Sequence, residues 1–152
     1  YYPSLQETAL REHGRTLPPL SCPAAMRVGT DLVRVERIRD LLERHGERAR
    51  ERVWTDAERS AAPAAREAEH LAGRFAAKEA VLKLLGTGWG EGVSWTEVEV
   101  LGAGGAPRRV RPGEAARRAA RMGIGEVALS IAHDGGFAMA VAVAAPAGAG
   151  RA

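Results

Sequence analysis

The segment EVALSIAHDGGFAMAVAVA, residues 126–144, restricts the fold more than any other part of this chain. Two runs of strand-forming residues flank Asp134, Gly135 and Gly136, a combination able to take the positive backbone angles of a tight turn, so the runs pair as an antiparallel hairpin. In the second run Phe137, Met139, Val141 and Val143 fill one face, and Ala138, Ala140 and Ala142 fill the other. A sheet face made of alanine admits a helix at close range. The long helix-forming stretch from about Ala64 to Leu85, stopped by Gly86, is the obvious candidate to fill it.

The remaining elements agree with that arrangement. MRVGTDLV (26–33) reads as a buried strand, and RVERIRDLLERHG as a helix with apolar residues at Val35, Ile38, Leu41 and Leu42, ending at Gly46. Thr55 to Glu58, TDAE, has the pattern of a capping box and predicts a short helix closed by Pro63. VSWTEVEVL (93–101) and PRRVR (107–111) read as strands, and Glu114 to Met122 as a short helix. Strands joined by hairpins with helices to one side predict an α+β domain. The expected organisation is an N-terminal extension over 1–25, with four prolines and little periodicity, either disordered or the end of a preceding segment. A domain over 26–145 and a flexible tail over 146–152 follow.

Composition narrows the function. The formal charge is +3 and the isoelectric point about 9.6, with arginines clustered in 34–52 and 108–121, which suits an acidic partner such as phosphate, nucleic acid or an acidic protein. The lone Cys22 excludes an intrachain disulfide framework and a thiolate metal cluster within one chain. The longest apolar run, Phe137 to Ala145, falls far short of the roughly 20 residues of a membrane helix, and the expectation is a soluble, cytoplasmic protein without a membrane partner. GTGWGEG (86–92) lacks the Gly-Lys-Ser/Thr ending of a phosphate-binding loop and follows its helix instead of preceding it. There is no GxGxxG, no HExxH and no nucleophile elbow around Ser130. Nucleic acid is disfavoured, because Trp54, Trp89 and Trp95 are not interleaved with the arginines as a stacking platform needs.

The decapeptide RFAAKEAVLK (74–83) stands apart. The chain has twenty arginines and two lysines, and both lysines, Lys78 and Lys83, lie here beside Glu79. On a helix Leu71, Phe75, Leu82 and Leu85 form a stripe with Lys78 along its middle, while Glu79 and Lys83 lie at its edge above the small Ala72 and Ala76. Two readings fit. In one, Glu79 and Lys83 are an exposed ion pair and Lys78 snorkels to solvent. In the other, two ammonium groups and a carboxylate border a pocket for a metal-bound polyphosphate. The second reading needs another carboxylate, because a hard cation takes several oxygen donors. Asp31, which interrupts the largely apolar strand over 26–33, supplies it or is a strand-end residue bonded to nearby amides. His133, where its strand meets the turn, suits contact with a ligand or a structural role.

Taken in order, VGTDLVRVERI, VWTDAE, LAGRFAAKEAVLKLLGTG, VSWTEVEVL, GAPRRV and ALSIAHDGGFAMAVAV resemble the holo-acyl-carrier-protein synthase family of phosphopantetheinyl transferases, over about 26–145. The resemblance implies the 4′-phosphopantetheinyl transferase fold, a small antiparallel sheet around a long helix. It implies transfer of phosphopantetheine from coenzyme A to a serine of an acyl carrier protein, with release of 3′,5′-ADP, in fatty-acid or polyketide synthesis. It implies that Asp31 and Glu79 hold Mg²⁺, and that Lys83 acts with them in catalysis. Arg74, Lys78, Lys83, Gly86, Thr87, Gly88 and His133 are implied to surround the nucleotide and phosphates. Arg37, with Arg34 and Arg44, is implied to dock the acidic carrier protein, and three active sites are implied at the interfaces of a homotrimer. One departure stands out: the family usually has glutamate three residues after the strand aspartate, where this chain has Arg34, so the metal site could be weaker or rely on Glu36. The alternative expectation is therefore a catalytically weak homologue that only docks carrier proteins.

Overall fold

The computed structural model describes residues 26–87, 92–102, 109–110 and 113–147. Expectations for 1–25, for Gly88 and for most of the 146–152 tail lie outside the described residues.

Strand β1, Arg27–Arg34, leads directly into helix α1, Val35–Val53, whose first amide donates to the Gly136 carbonyl at 2.8 Å. Helix α1 does not end at Gly46 as the sequence suggested. Gly46 breaks it with φ +54°, and the helix then resumes and buries Ala49 and Val53. Helix α2, Asp56–Ser60, begins with the expected capping box between Thr55 and Glu58. A 3₁₀ turn at Ala64–Arg66 precedes the long helix α3, Glu67–Leu84. The stretch expected to be a strand over 93–101 is instead a 3₁₀ turn, Trp95–Glu97, followed by the two-residue strand β2, Val98–Glu99, which pairs with β3, Arg109–Val110. The cause is local: Ser94 and Glu97 form a second capping box that winds the backbone before it can extend. Helix α4, Glu114–Arg121, is followed by β4, Ile124–Asp134, and β5, Phe137–Pro146.

The main sheet has the order β1-β5-β4, antiparallel throughout. Its hairpin turns on Gly135 and Gly136, with φ +54° and +80°, which side-chain-bearing residues rarely adopt. The inner face is the alanine face, Ala138, Ala140, Ala142 and Ala144, all buried against α3. The alanines of α3 that face back, Ala72, Ala76, Ala77 and Ala80, are equally buried. Ala72 and Ala76 thus sit inside the core and leave no room beside the helix for a ligand. Where β1 crosses α3 the approach is closest: a β-carbon on Gly29 would lie 1.9 Å from the Ala80 carbonyl oxygen. Trp54 locks α1 onto α3, its indole N–H donating to the Leu71 carbonyl at 3.1 Å inside the core. Burial of a side chain that large stabilises by about 3 kcal/mol or more.

The outer face of the same sheet is uncovered. Val28 is 59 % exposed, Leu32 62 %, Met139 44 % and Phe137 37 %. No described helix is long and apolar enough to cross a membrane.

Candidate functional site

Strand alternation sends Gly29, Asp31 and Val33 toward α3 and Leu32 and Arg34 to the outer face. Because Gly29 lets the backbones touch, Asp31 meets the C-terminal third of α3. Its Oδ1 accepts from the Lys83 ammonium at 2.8 Å, and the same ammonium donates to the Thr30 carbonyl at 3.0 Å. Glu79 lies one helical turn before Lys83 and is partly buried. Burial first, and the charge of Asp31 second, push the Glu79 carboxyl above the usual carboxylate range, while Lys83 and Arg37 pull it back. Two carboxylates close enough that the charge of Asp31 opposes ionisation of Glu79, with one ammonium and one guanidinium nearby, form an electrostatic cluster on adjoining elements.

This donor set suits a hard divalent cation. No group of three or more His, Cys, Asp or Glu side chains able to hold a metal occurs among the described residues. A pair of carboxylates that leaves the rest of the coordination shell to water and phosphate is the arrangement Mg²⁺ favours. The mutual repulsion of Asp31 and Glu79 is what such a cation would relieve.

The turn that closes α3 is held firmly. Gly86 has φ +62°, its amide donates to the Lys83 carbonyl at 2.9 Å, and the buried Thr87 donates its amide to the Leu82 carbonyl at 3.0 Å. Arg118 of α4 donates to the carbonyls of Leu85 at 2.9 Å and Gly86 at 2.6 Å. Arg118 was not foreseen from sequence, where it is one of several arginines in a helix with no marking motif.

Arg74 and His133 belong to a different neighbourhood, nearer the start of α3. His133 lies over Gly73, where a β-carbon would sit 2.7 Å from its Nε2, and that nitrogen is 3.1 Å from the Glu69 carbonyl. It opens on a cleft of about 690 Å³ shared with Arg34, Arg39 and the Gly135–Gly136 turn. Arg74 donates to the Gly102 carbonyl at 3.2 Å, and burial lowers its pKa against the pull of Glu58. Burial, then Arg74 and His133, hold the His70 imidazole below its ordinary pKa. Arg74 stands nine residues from Lys83, about 13 Å along the helix axis at 1.5 Å per residue. Within one chain the two groups of residues therefore stand apart.

Lys78 does not join either. It is completely buried, its ammonium 2.8 Å from Glu58 Oε2 and donating to the carbonyls of Val98 at 2.5 Å and Trp95 at 3.0 Å. The expectation that it handles phosphates, and the alternative that it snorkels to solvent, are both corrected by this geometry. Its partner Glu58 was legible only as a helix cap, a role it also fills by accepting from the Thr55 amide.

Arg37 and Arg44 lie on α1. The Arg37 guanidinium stands 5.6 Å over the Phe75 ring, which stacks on Trp95 with centroids 4.8 Å apart. These rings floor a groove rimmed by Arg37, His45, Arg48 and Arg52, and Arg44 lines the adjoining hollow beside an exposed ion pair with Asp40. Arg34 lies elsewhere, on the outer sheet face, 5.6 Å over the Phe137 ring. It faces away from Asp31. Glu36 is exposed on the first turn of α1, paired with Arg39.

The α+β architecture brings paired carboxylates, a lysine and a glycine turn together at one end of a central helix. The family model of the 4′-phosphopantetheinyl transferase superfamily matches residues 27–142, and the chain belongs to that family of enzymes. The holo-[acyl-carrier-protein] synthase of Desulforudis audaxviator is 51 % identical over 119 residues, 77 % of this chain and 90 % of that one. The crystal structure of the Neisseria meningitidis holo-[acyl-carrier-protein] synthase superposes with a TM-score of 0.68 at 32 % identity, covering 78 % of this chain and 97 % of the other. The ACPS–CoA complex of Chronobacterium ammoniagenes gives a TM-score of 0.66 at 37 % identity, with 80 % and 98 % coverage.

Proposed function

We propose that this phosphopantetheinyl transferase moves the 4′-phosphopantetheine arm of coenzyme A to a serine of an acyl carrier protein of fatty-acid or polyketide synthesis, in a Mg²⁺-dependent reaction. The observation that carries the reading is the meeting of Asp31, Glu79 and Lys83 where β1 crosses α3. The name of the Desulforudis relative and the coenzyme A bound by the Chronobacterium neighbour support the substrates.

The serine Oγ attacks the β-phosphorus of coenzyme A, the bond from that phosphorus to the bridging oxygen breaks, 3′,5′-ADP leaves, and the serine proton passes to solvent. Chemistry of this kind rests on positioning and charge neutralisation. A bound Mg²⁺ would be held by Asp31 and Glu79 and would supply charge stabilisation on the diphosphate oxygens. Lys83, whose ammonium is already fixed by Asp31 and the Thr30 carbonyl, is placed to neutralise the departing oxygen. Gly86 and Thr87, anchored as described, follow it at the end of α3.

Arg74 and His133 complete the nucleotide contacts in this reading by serving the Asp31–Glu79 half-site of a neighbouring copy. The uncovered apolar face of β1 and β5 supports a homotrimer in which three such sites form at the interfaces. The basic groove over Phe75 and Trp95, with Arg37 and Arg44 at its margin, suits the acidic carrier protein. Arg34, where the family usually has glutamate, stands on the outer face of β1 and lines the cleft of His133, and the docking-only homologue remains the alternative that the test below decides.

The test is intact-mass spectrometry of an apo acyl carrier protein incubated with this chain, coenzyme A and Mg²⁺. The expected result is addition of one phosphopantetheine arm, abolished by EDTA. No addition across several carrier proteins, with the chain folded, would overturn the reading in favour of carrier docking alone.

A further inference from the structure

We propose that the buried Glu58–Lys78 pair is a positioning device for carrier-protein recognition: it fixes the Trp95–Val98 segment so that Trp95 stays stacked on Phe75 and floors the arginine-rimmed groove. The inference rests on the reading of that groove as the carrier-protein surface.

The bonds around the pair converge on one short segment. Three acceptors surround the Lys78 ammonium: Glu58 Oε2, the Val98 carbonyl and the Trp95 carbonyl. The second carboxylate oxygen of Glu58 accepts from the Val100 amide at 2.8 Å. Trp95, Val98 and Val100 are therefore all tied to this pair by their backbones. Among the described residues β2 contributes Val98 and Glu99 to pairing, so the side-chain bonds carry much of the hold on this segment. From the opposite side Glu97 accepts from the Ser94 amide at 3.0 Å and from the Ala115 amide at the start of α4 at 2.9 Å. The turn that carries Trp95 is thus suspended between charged side chains.

A buried ion pair is a costly way to fill a core, and well-packed apolar residues of the same volume often serve stability as well or better. What the pair supplies that they cannot is direction: beyond their bond to each other, the ammonium is tied to the Trp95 and Val98 carbonyls and the carboxylate to the Thr55 and Val100 amides. Trp95 is 8 % exposed and Phe75 likewise, so the stacked rings are a fixed apolar base that the cations of α1 surround. Phe75, Lys78 and Glu79 share α3, so the groove and the carboxylate cluster are set in register by one rigid rod.

The prediction separates recognition from chemistry. Lys78→Met and Glu58→Gln should each raise the KM for apo acyl carrier protein about 10-fold, with KM for coenzyme A and kcat at saturating carrier protein within about 2-fold. Trp95→Leu should do the same, and Lys78→Met combined with Trp95→Leu should be no worse than either alone, because both act through one ring. Equal losses in the coenzyme A and carrier parameters, or additive effects in the double variant, would overturn the proposal. So would an unchanged carrier KM in Trp95→Leu, a result that decides the matter even if Lys78→Met fails to fold. Arg44→Glu and Arg52→Glu serve as the control. If they leave the carrier KM unchanged, the groove is not the docking surface and the inference falls with that reading. If they raise it while Trp95→Leu does not, the positioning proposal alone fails.

Discussion

The two lysines of α3 stand five residues apart and live in opposite worlds. Lys78 is sealed in the core against Glu58, and Lys83 is half-exposed against Asp31, yet both ion pairs measure 2.8 Å. The difference lies in what surrounds the charges. Around Lys78 the protein has replaced water with backbone carbonyls and an amide-bound carboxylate, so the pair is satisfied and inert. Around Lys83 the partner Asp31 also presses on Glu79, whose ionisation burial and Asp31 oppose, so the pair stays part of an unsettled charge cluster open to solvent. Equal geometry therefore does not mean equal function, and burial with full hydrogen bonding marks the structural pair.

Substitutions can break this contrast. The largest effect is expected for Glu79→Gln, with turnover reduced at least about 1,000-fold in the carrier-protein mass assay. The metal-free protein should melt no lower than the wild type at neutral pH, because the native fold resists ionisation of Glu79 and the amide removes that conflict. Next comes Lys78→Met alone, which strands Glu58 in the core and should cost about 3–5 kcal/mol by denaturant unfolding. Pairing it with Glu58→Leu should recover most of that loss. Gly29→Ala forces a β-carbon onto the Ala80 carbonyl and should cost about 1–3 kcal/mol, lowering activity as Asp31 is moved away from α3. Lys83→Met should change stability by less than about 1 kcal/mol, since its pair is solvated, while reducing turnover about 100-fold.

A pH titration sharpens the other half-site. The His70 pKa is depressed in the fold, so between that value and the ordinary histidine value near 6.5 the unfolded chain binds the extra proton. Stability from neutral His70 is then complete above about pH 6.5 and lost as pH falls through the folded pKa. His70→Phe should flatten that acid slope in melting curves.

Much of the fold was legible in the chain. The Asp134–Gly136 turn and the alternation after it dictated the hairpin, and the alanine face announced the helix that covers it. The Thr55 capping box was read correctly because its signal is local. Two readings failed where local and tertiary signals competed. VSWTEVEVL has strand composition, but Ser94 and Glu97 supply a cap that turns the backbone, and Glu97 gains a second partner in Ala115 only through the tertiary fold. Gly46 carried a stop signal that the burial of Ala49 and Val53 outweighed. At the candidate site, Asp31, Glu79 and Lys83 stood out in the sequence because charge in an apolar strand and lysines in an arginine-rich chain are conspicuous, and the fold brings the three to one crossing. Lys78 was misassigned for the same reason, since sequence shows that a charge is unusual but not whether its partner lies in water or in the core. Glu58 lies 20 residues before it, and nothing in that spacing announces the pair.

The glycine and alanine crossing of β1 over α3 also bears on how the site can change over time. Because nothing but backbone and methyl groups separates the two elements there, the spacing of Asp31 from Glu79 is set by how near two main chains can approach. Side-chain drift elsewhere in the core has no lever on that distance. The interval between the two carboxylates is thereby set by the thickness of a polypeptide.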